Sequence, residues 1–304
     1  MKRMIRKLSR AFERKDDGSL EVEGKKVGDT TENREVGLKL LYGGDQAIVE
    51  YGDYPRQCLP IIAVHGLNGH REKSWTASNG VNWVRSILPE DLPNSRIFTW
   101  GYNTPASNVA FGVPVFQTVS ERLVDDLNDM REATPTFSRP IIFIAHSQGG
   151  TVVKSAILYS KTGKNNGNAA AAASSQDIAH STHGTIFMGT PELDSRLAGL
   201  KSYIRLIENS QSEKNQEFKE AQWMVSILEE YSSISDRPKN CFAYERSPSQ
   251  TSDEGVQTAS FQRLSPHILL DSTHEEMIKY KSSTDDTYVK VRNVLLDMAQ
   301  DIER

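Results

Sequence analysis

Short apolar runs alternate with amphipathic stretches along most of the chain. Ile61 to Val64 and Ile141 to Ile144 are unbroken apolar runs. Such runs predict strands buried on both faces of a parallel sheet. Arg96 to Trp100, Gly184 to Pro191, Cys241 to Tyr244 and Ile268 to Leu270 are further strand candidates. Between them, apolar residues recur at helical spacing. Residues 81–88 put Trp83, Val84 and Leu88 on one side, and Val119, Leu123, Val124, Leu127 and Met130 mark a second helix. Thr151 to Tyr159 marks a third, and residues 193–235 hold at least two more, with Leu200, Ile204, Leu206, Trp223, Met224, Ile227 and Leu228. Val291, Val294, Leu295, Met298 and Ile302 share a face of the last helix. Strands alternating with helices predict an α/β domain with a doubly wound, mostly parallel sheet. Val36 to Tyr42 and Ala47 to Tyr51, around Gly43-Gly44-Asp45, read as a hairpin.

The domain is expected to span residues 36–304. Residues 1–35 form a basic amphipathic arm followed by a polar linker. In residues 1–15, Met1, Met4, Ile5, Leu8 and Phe12 share one helical face, and seven Lys/Arg stand against one Glu. That arm is open to three readings: a solvated terminal helix, a peripheral anchor on an anionic membrane, or a mitochondrial presequence. Its local charge of +6, within a total of −4, leaves −10 on the body. An acidic body argues against nucleic acid as a partner. Residues 162–180, with five alanines among Gly, Asn and Ser, read as a mobile surface insertion. Residues 192–238 read as a small helical cap, and Trp223 is as well explained as core of those helices. Two cysteines, Cys58 and Cys241, make no disulfide framework and favour a cytoplasmic, reducing compartment. No run reaches the length of a membrane span, and no zinc-ligand spacing occurs. No cofactor or metal is expected.

The stretch from Pro140 to Gly150, PIIFIAHSQGG, carries the chemistry. A buried strand, a sharp turn and a helix follow one another there. The pattern small-x-Ser-x-small is that of a nucleophile elbow, with Ala145 and Gly149 as the small residues around Ser147. An ordinary strand-to-helix turn with a Ser-Gly cap is the competing reading. A serine hydroxyl needs a base, and the base needs an orienting carboxylate. In hydrolase order these follow the serine as acid, then histidine. His274 lies past the final short strand and is the candidate base. His180, His183 and His267 precede strands and fall on the wrong edge. His146 is next to the serine, so its ring points away from the hydroxyl. Glu245, after the Cys241–Tyr244 strand, is the candidate acid, with Asp194, Asp253, Glu254 and Asp271 left open. The backbone amides of Leu67 and Gln148 are the candidate oxyanion-hole donors. His65 holds its loop and transfers no proton.

His65-Gly66-Leu67-Asn68-Gly69-His70, Lys73-Ser74-Trp75-Thr76, Asn82-Trp83, Leu88-Pro89, Arg96-Ile97 and Gly101-Tyr102 occur in this order. With Pro140 to Lys154 and Gly184 to Pro191, they resemble the serine-esterase-like α/β-hydrolase family of the SERAC1 and DUF676 type. That family also occurs at the N-terminus of fungal NACHT and other NOD-like immune receptors. The resemblance covers roughly residues 36–303. It implies an α/β-hydrolase fold, Ser147 as nucleophile and His274 as base. It implies a lipase- or esterase-like hydrolase acting on a lipid or small ester. A hydrolase-fold signalling module, with a homo-oligomeric or receptor-type partner, is the alternative it leaves open. Gln148 stands where the family has Leu, and Glu192 where it has His.

Overall fold

In a computed structural model we describe residues 35–43, 59–103, 113–133, 139–162, 178–190, 216–234, 238–245 and 266–303. The basic arm, Ala47 to Tyr51, residues 163–177, residues 191–215 and the polar stretch 247–263 lie outside them.

Seven strands are described: β1 (Gly37–Tyr42), β2 (Leu59–Val64), β3 (Ser95–Gly101), β4 (Ile141–His146), β5 (Thr182–Met188), β6 (Lys239–Glu245) and β7 (His267–Leu270). They form one sheet in the order β1-β3-β2-β4-β5-β6-β7. Every pairing is parallel except β1 with β3. β4 therefore sits mid-sheet, with β2 on one side and β5 on the other. A strand there has no solvent face, which explains the unbroken apolar runs: all six residues of β2 and all six of β4 are buried.

The faces are covered by α1 (Trp83–Ser86), α2 (Leu88–Asp91), α3 (Val113–Ala133), α4 (Gln148–Thr162), α5 (Gln216–Ser233) and α6 (Asp286–Glu303). Strand side chains alternate between two cores. Ile61, Ala63, Ile142, Ile144 and Ile186 join Trp75, Trp83, Tyr280, Tyr288 and Leu295 under α1, α2 and α6. Ile62, Val64, Phe143, Ala145 and Phe187 join Leu123, Val152 and Tyr231 under α3, α4 and α5. Each fully buried isoleucine contributes about 1.5–3 kcal/mol.

The helix expected over residues 81–88 is two four-residue helices. Pro89 has no amide proton and fits only a first turn, so the second helix restarts around it. Of the expected cap, residues 216–234 form a layer helix on the sheet instead. α5 packs on α4 and α3, Trp223 stacks on Phe116 at 5.3 Å, and Tyr231 is buried. The partner described for β1 is β3.

Candidate active site

The C-terminal ends of β2, β4, β5, β6 and β7 share one edge, where open parallel sheets place their ligands. Ser147 follows β4 and precedes α4. Its φ is +51°, one of two positive values at non-glycine residues among those described. A side chain there is strained and is held only if its surroundings over-determine it. Three hydrogen bonds do so. The Ser147 amide donates to the Met188 carbonyl at 2.8 Å. The Ser147 carbonyl accepts from the Gly150 amide at 3.0 Å and from Thr190 Oγ1 at 3.0 Å. The strained corner also lets α4 approach β2 closely. A Cβ at Gly149 would lie 2.3 Å from the His65 carbonyl oxygen, so the second small position of the elbow admits no side chain.

The loop after β2 passes beside the serine. A Cβ at Gly66 would lie 2.9 Å from Ser147 Cβ. Leu67 follows at the next position. Among the described residues, neither the Leu67 amide nor the Gln148 amide donates to a protein acceptor. Gln148 opens α4, so its N–H is one of the donors a helix start leaves unpaired. An oxyanion hole needs two such amides aimed at one point beside the serine.

His65 is fixed in place. It is 1% exposed and stacks on Tyr102 at 4.5 Å with the rings 2° apart. Its Nε2 accepts from the Tyr102 amide at 3.3 Å, so the proton sits on Nδ1, 2.8 Å from the Gly66 carbonyl. The Tyr102 hydroxyl donates to the His65 carbonyl at 3.1 Å. His65 is thus a brace for the Gly66-Leu67 turn, as expected from the sequence. At the loop's far end, His70 Nδ1 accepts from the Glu72 and Lys73 amides and caps the short helix Lys73–Trp75.

His274 arrives from the loop after β7. Its ring lies against Gly189, at the end of β5 and one strand from Ser147. A Cβ there would come 2.7 Å from Cε1 and 2.8 Å from Nδ1 of His274. Gly189 is further required by its own φ of +61°. The structure therefore brings Ser147 and the His274 ring to adjacent strand ends on one edge.

Glu245 is at the C-terminal end of β6, on the same edge and exposed, opposite Leu270 of β7. Among the described residues no hydrogen bond or ion pair joins it to His274. Asp271 is exposed, with Lys290 Nζ 3.7 Å away. Asp194, Asp253 and Glu254 lie outside the described residues. His183 is the second residue of β5 and His267 the first of β7, at the opposite edge.

His146 was not foreseen as part of the site. It is 8% exposed. Its ring lies 4.8 Å from the His274 ring, and its Nε2 is 2.8 Å from the His274 carbonyl oxygen. The ring meets the backbone of the candidate base. The available signal was a lone imidazole ending an otherwise apolar strand, Ile-Ile-Phe-Ile-Ala-His. Burial, and then the neighbouring His274, hold its pKa down to about 3.

Strand order, the strained serine after the central strand and the histidine after the last strand define an α/β-hydrolase fold. Within it, residues 59–193 match the family model described as "Putative serine esterase (DUF676)". That match makes this part of the chain similar to the SERAC1/DUF676-like group of α/β hydrolases. The chain is 26% identical over 164 residues to Protein SERAC1 of Homo sapiens, and 28% identical over 163 residues to that of Mus musculus. Each match covers 48% of this chain, and the chain spans about a quarter (24%) of the length of these relatives. Among solved structures, a Bacillus licheniformis lipase, BlEst2, is similar at 18% identity and a TM-score of 0.39, covering 68% of this chain and 70% of that one. A metagenomic α/β hydrolase, MGS-MChE2, is similar at 14% identity and a TM-score of 0.43, covering 82% and 93%. No helix among the described residues is long and apolar enough to cross a membrane.

Proposed function

We propose that the protein is a serine hydrolase that cleaves a carboxylic ester, of a lipid by preference, through an acyl-enzyme. The observation that carries this reading is Ser147 at φ +51° between a buried strand and a helix, followed by the Gln148 amide, which donates to no acceptor among the described residues. No ordinary strand-to-helix turn needs that strain. In the reaction, Ser147 Oγ attacks the ester carbonyl carbon while the His274 imidazole takes the hydroxyl proton. The carbonyl oxygen becomes an oxyanion held by the Leu67 and Gln148 amides. The intermediate collapses, the C–O bond to the alcohol breaks, and His274 returns the proton to the departing oxygen. Water, deprotonated by the same imidazole, then releases the acid and restores Ser147.

Glu245 is the carboxylate assigned to orient His274, on the strength of its place at the end of β6. Glu245→Gln is expected to slow acylation about 100-fold. A change below twofold would transfer the role to Asp194, Asp253, Glu254 or Asp271. The basic arm is assigned to the surface of an anionic membrane, where an ester lipid would be met. Removing residues 1–15 should release the protein from anionic vesicles; unchanged binding would exclude that part.

The test of the whole reading is an alkyl fluorophosphonate, which forms a stable bond to an activated serine oxygen. Mass spectrometry should find the label on the peptide containing Ser147, and a chain-length series of esters should then define the acyl preference. A native protein that takes no label would refute the assignment.

A further inference from the structure

His146 raises the question of what a buried imidazole is for, beside a site that already has its base. Four observations bear on it. Its Nε2 lies 2.8 Å from the carbonyl oxygen of His274, a residue 128 positions later. A carbonyl can only accept, so Nε2 carries the proton and donates. The His274 ring rests on Gly189, whose amide is anchored to the Ala243 carbonyl at 2.8 Å, so the ring has a floor of backbone. Other hydrogen bonds within the loop are local, such as Ser272 amide to Leu270 carbonyl, Met277 amide to Thr273 carbonyl and Glu276 amide to Thr273 Oγ1, and Trp83 Nε1 donates to the Ile278 carbonyl on the α1 side of the sheet. The His146 bond is the one among these that joins the loop to the end of β4.

We propose that His146 is a positioning residue: its Nε2–H, held on the His274 carbonyl, ties the base's backbone to the residue next to Ser147 and so sets the reach between base and nucleophile. This inference rests on the assignment of Ser147 and His274 above. The chemistry suits the task. Burial keeps His146 neutral through the working range of pH, so the tether does not compete with His274 for the proton. The β4 end is rigid, because its strand is hydrogen-bonded on both sides. A loop tied there takes its position from that strand end. A displacement of about 1 Å in a catalytic group can cost about 100-fold in rate, which is the scale on which such a tether would be felt.

The test uses His146→Gln and His146→Met in the full-length protein. These side chains are close in length and volume, and only glutamine offers an N–H. Inactivation by an alkyl fluorophosphonate separates the maximal rate, kinact, from the binding constant, KI. The Met variant should lose about 10- to 100-fold in kinact with KI within about twofold. The Gln variant should recover to within about fivefold of wild type. Thermal melting identifies any variant that does not fold. A folded Met variant as fast as wild type, or a Gln variant as slow as Met, overturns the proposal. Should neither fold, ring 15N NMR of the wild-type histidines decides: His146 must be the Nε2–H tautomer, and an Nδ1–H tautomer overturns the proposal. A wild-type protein that takes no label refutes the Ser147–His274 assignment itself. Full labelling of both wild type and the Met variant refutes only the tether.

Discussion

At the C-terminal edge of the sheet, positions are fixed by single hydrogen bonds and close backbone approaches. Ser147 is pinned by Met188, Gly150 and Thr190, and His65 by Tyr102 and Gly66. On the two faces, positions are fixed by area. Trp83 packs edge-on to Trp75 and Tyr288 and against Tyr280, with centroids 4.9–6.1 Å apart. On the other face even a charge is absorbed this way. Lys154 is 2% exposed, and its ammonium lies 4.6 Å from the ring centre of Phe187, 5.2 Å from Phe242 and 5.7 Å from Tyr231. Edge groups can thus be changed with large chemical and small thermodynamic consequence, and face groups the reverse.

Four experiments would break or sharpen that contrast. Ser147→Ala should reduce fluorophosphonate labelling at least about 10,000-fold while melting stays near wild type; a large drop in melting temperature would place the serine among structural residues. Acid is expected to act on the edge through His146. Its folded pKa of about 3 lies below the ordinary 6.5, so the unfolded chain binds the extra proton first. Stability should therefore fall as pH drops from about 6.5 towards 3, by up to about 5 kcal/mol. Denaturant titrations of wild type and His146→Gln across that range would show it as a steeper acid slope in wild type. Gly149→Ala joins edge and face, because its new methyl would meet the His65 carbonyl at 2.3 Å. It should cost about 1–3 kcal/mol and slow labelling together; loss of one without the other would separate helix packing from elbow geometry. Trp83→Phe should cost about 1–3 kcal/mol by leaving the Ile278 carbonyl, 2.8 Å from the indole nitrogen, unpaired, and should leave labelling intact.

The same contrast explains what could be read from the sequence. β2 and β4 were legible because mid-sheet strands need apolar side chains on both faces, and the elbow because its glycine requirement is local. The short pair α1 and α2 is half legible: apolar spacing marks the buried face, but it does not mark the restart at Pro89. His146 and Thr190 were illegible in role. Each acts through one hydrogen bond to a partner far along the chain, 128 positions away for His146 and 43 for Thr190. No spacing rule encodes such a pair. Trp223 shows the converse, where apolar periodicity fixed the helix but not the surface it covers. Its stacking on Phe116 makes it part of a layer beneath α4 and not a lid.

α4 starts at the reactive corner and runs back along the sheet to Thr162, and β5 begins at Thr182 on that same distant rim. Thr162 and Thr182 thus both stand at the end of the sheet opposite Ser147. A fluorescent reporter spliced directly after Thr162 is therefore expected to leave fluorophosphonate labelling of Ser147 unchanged.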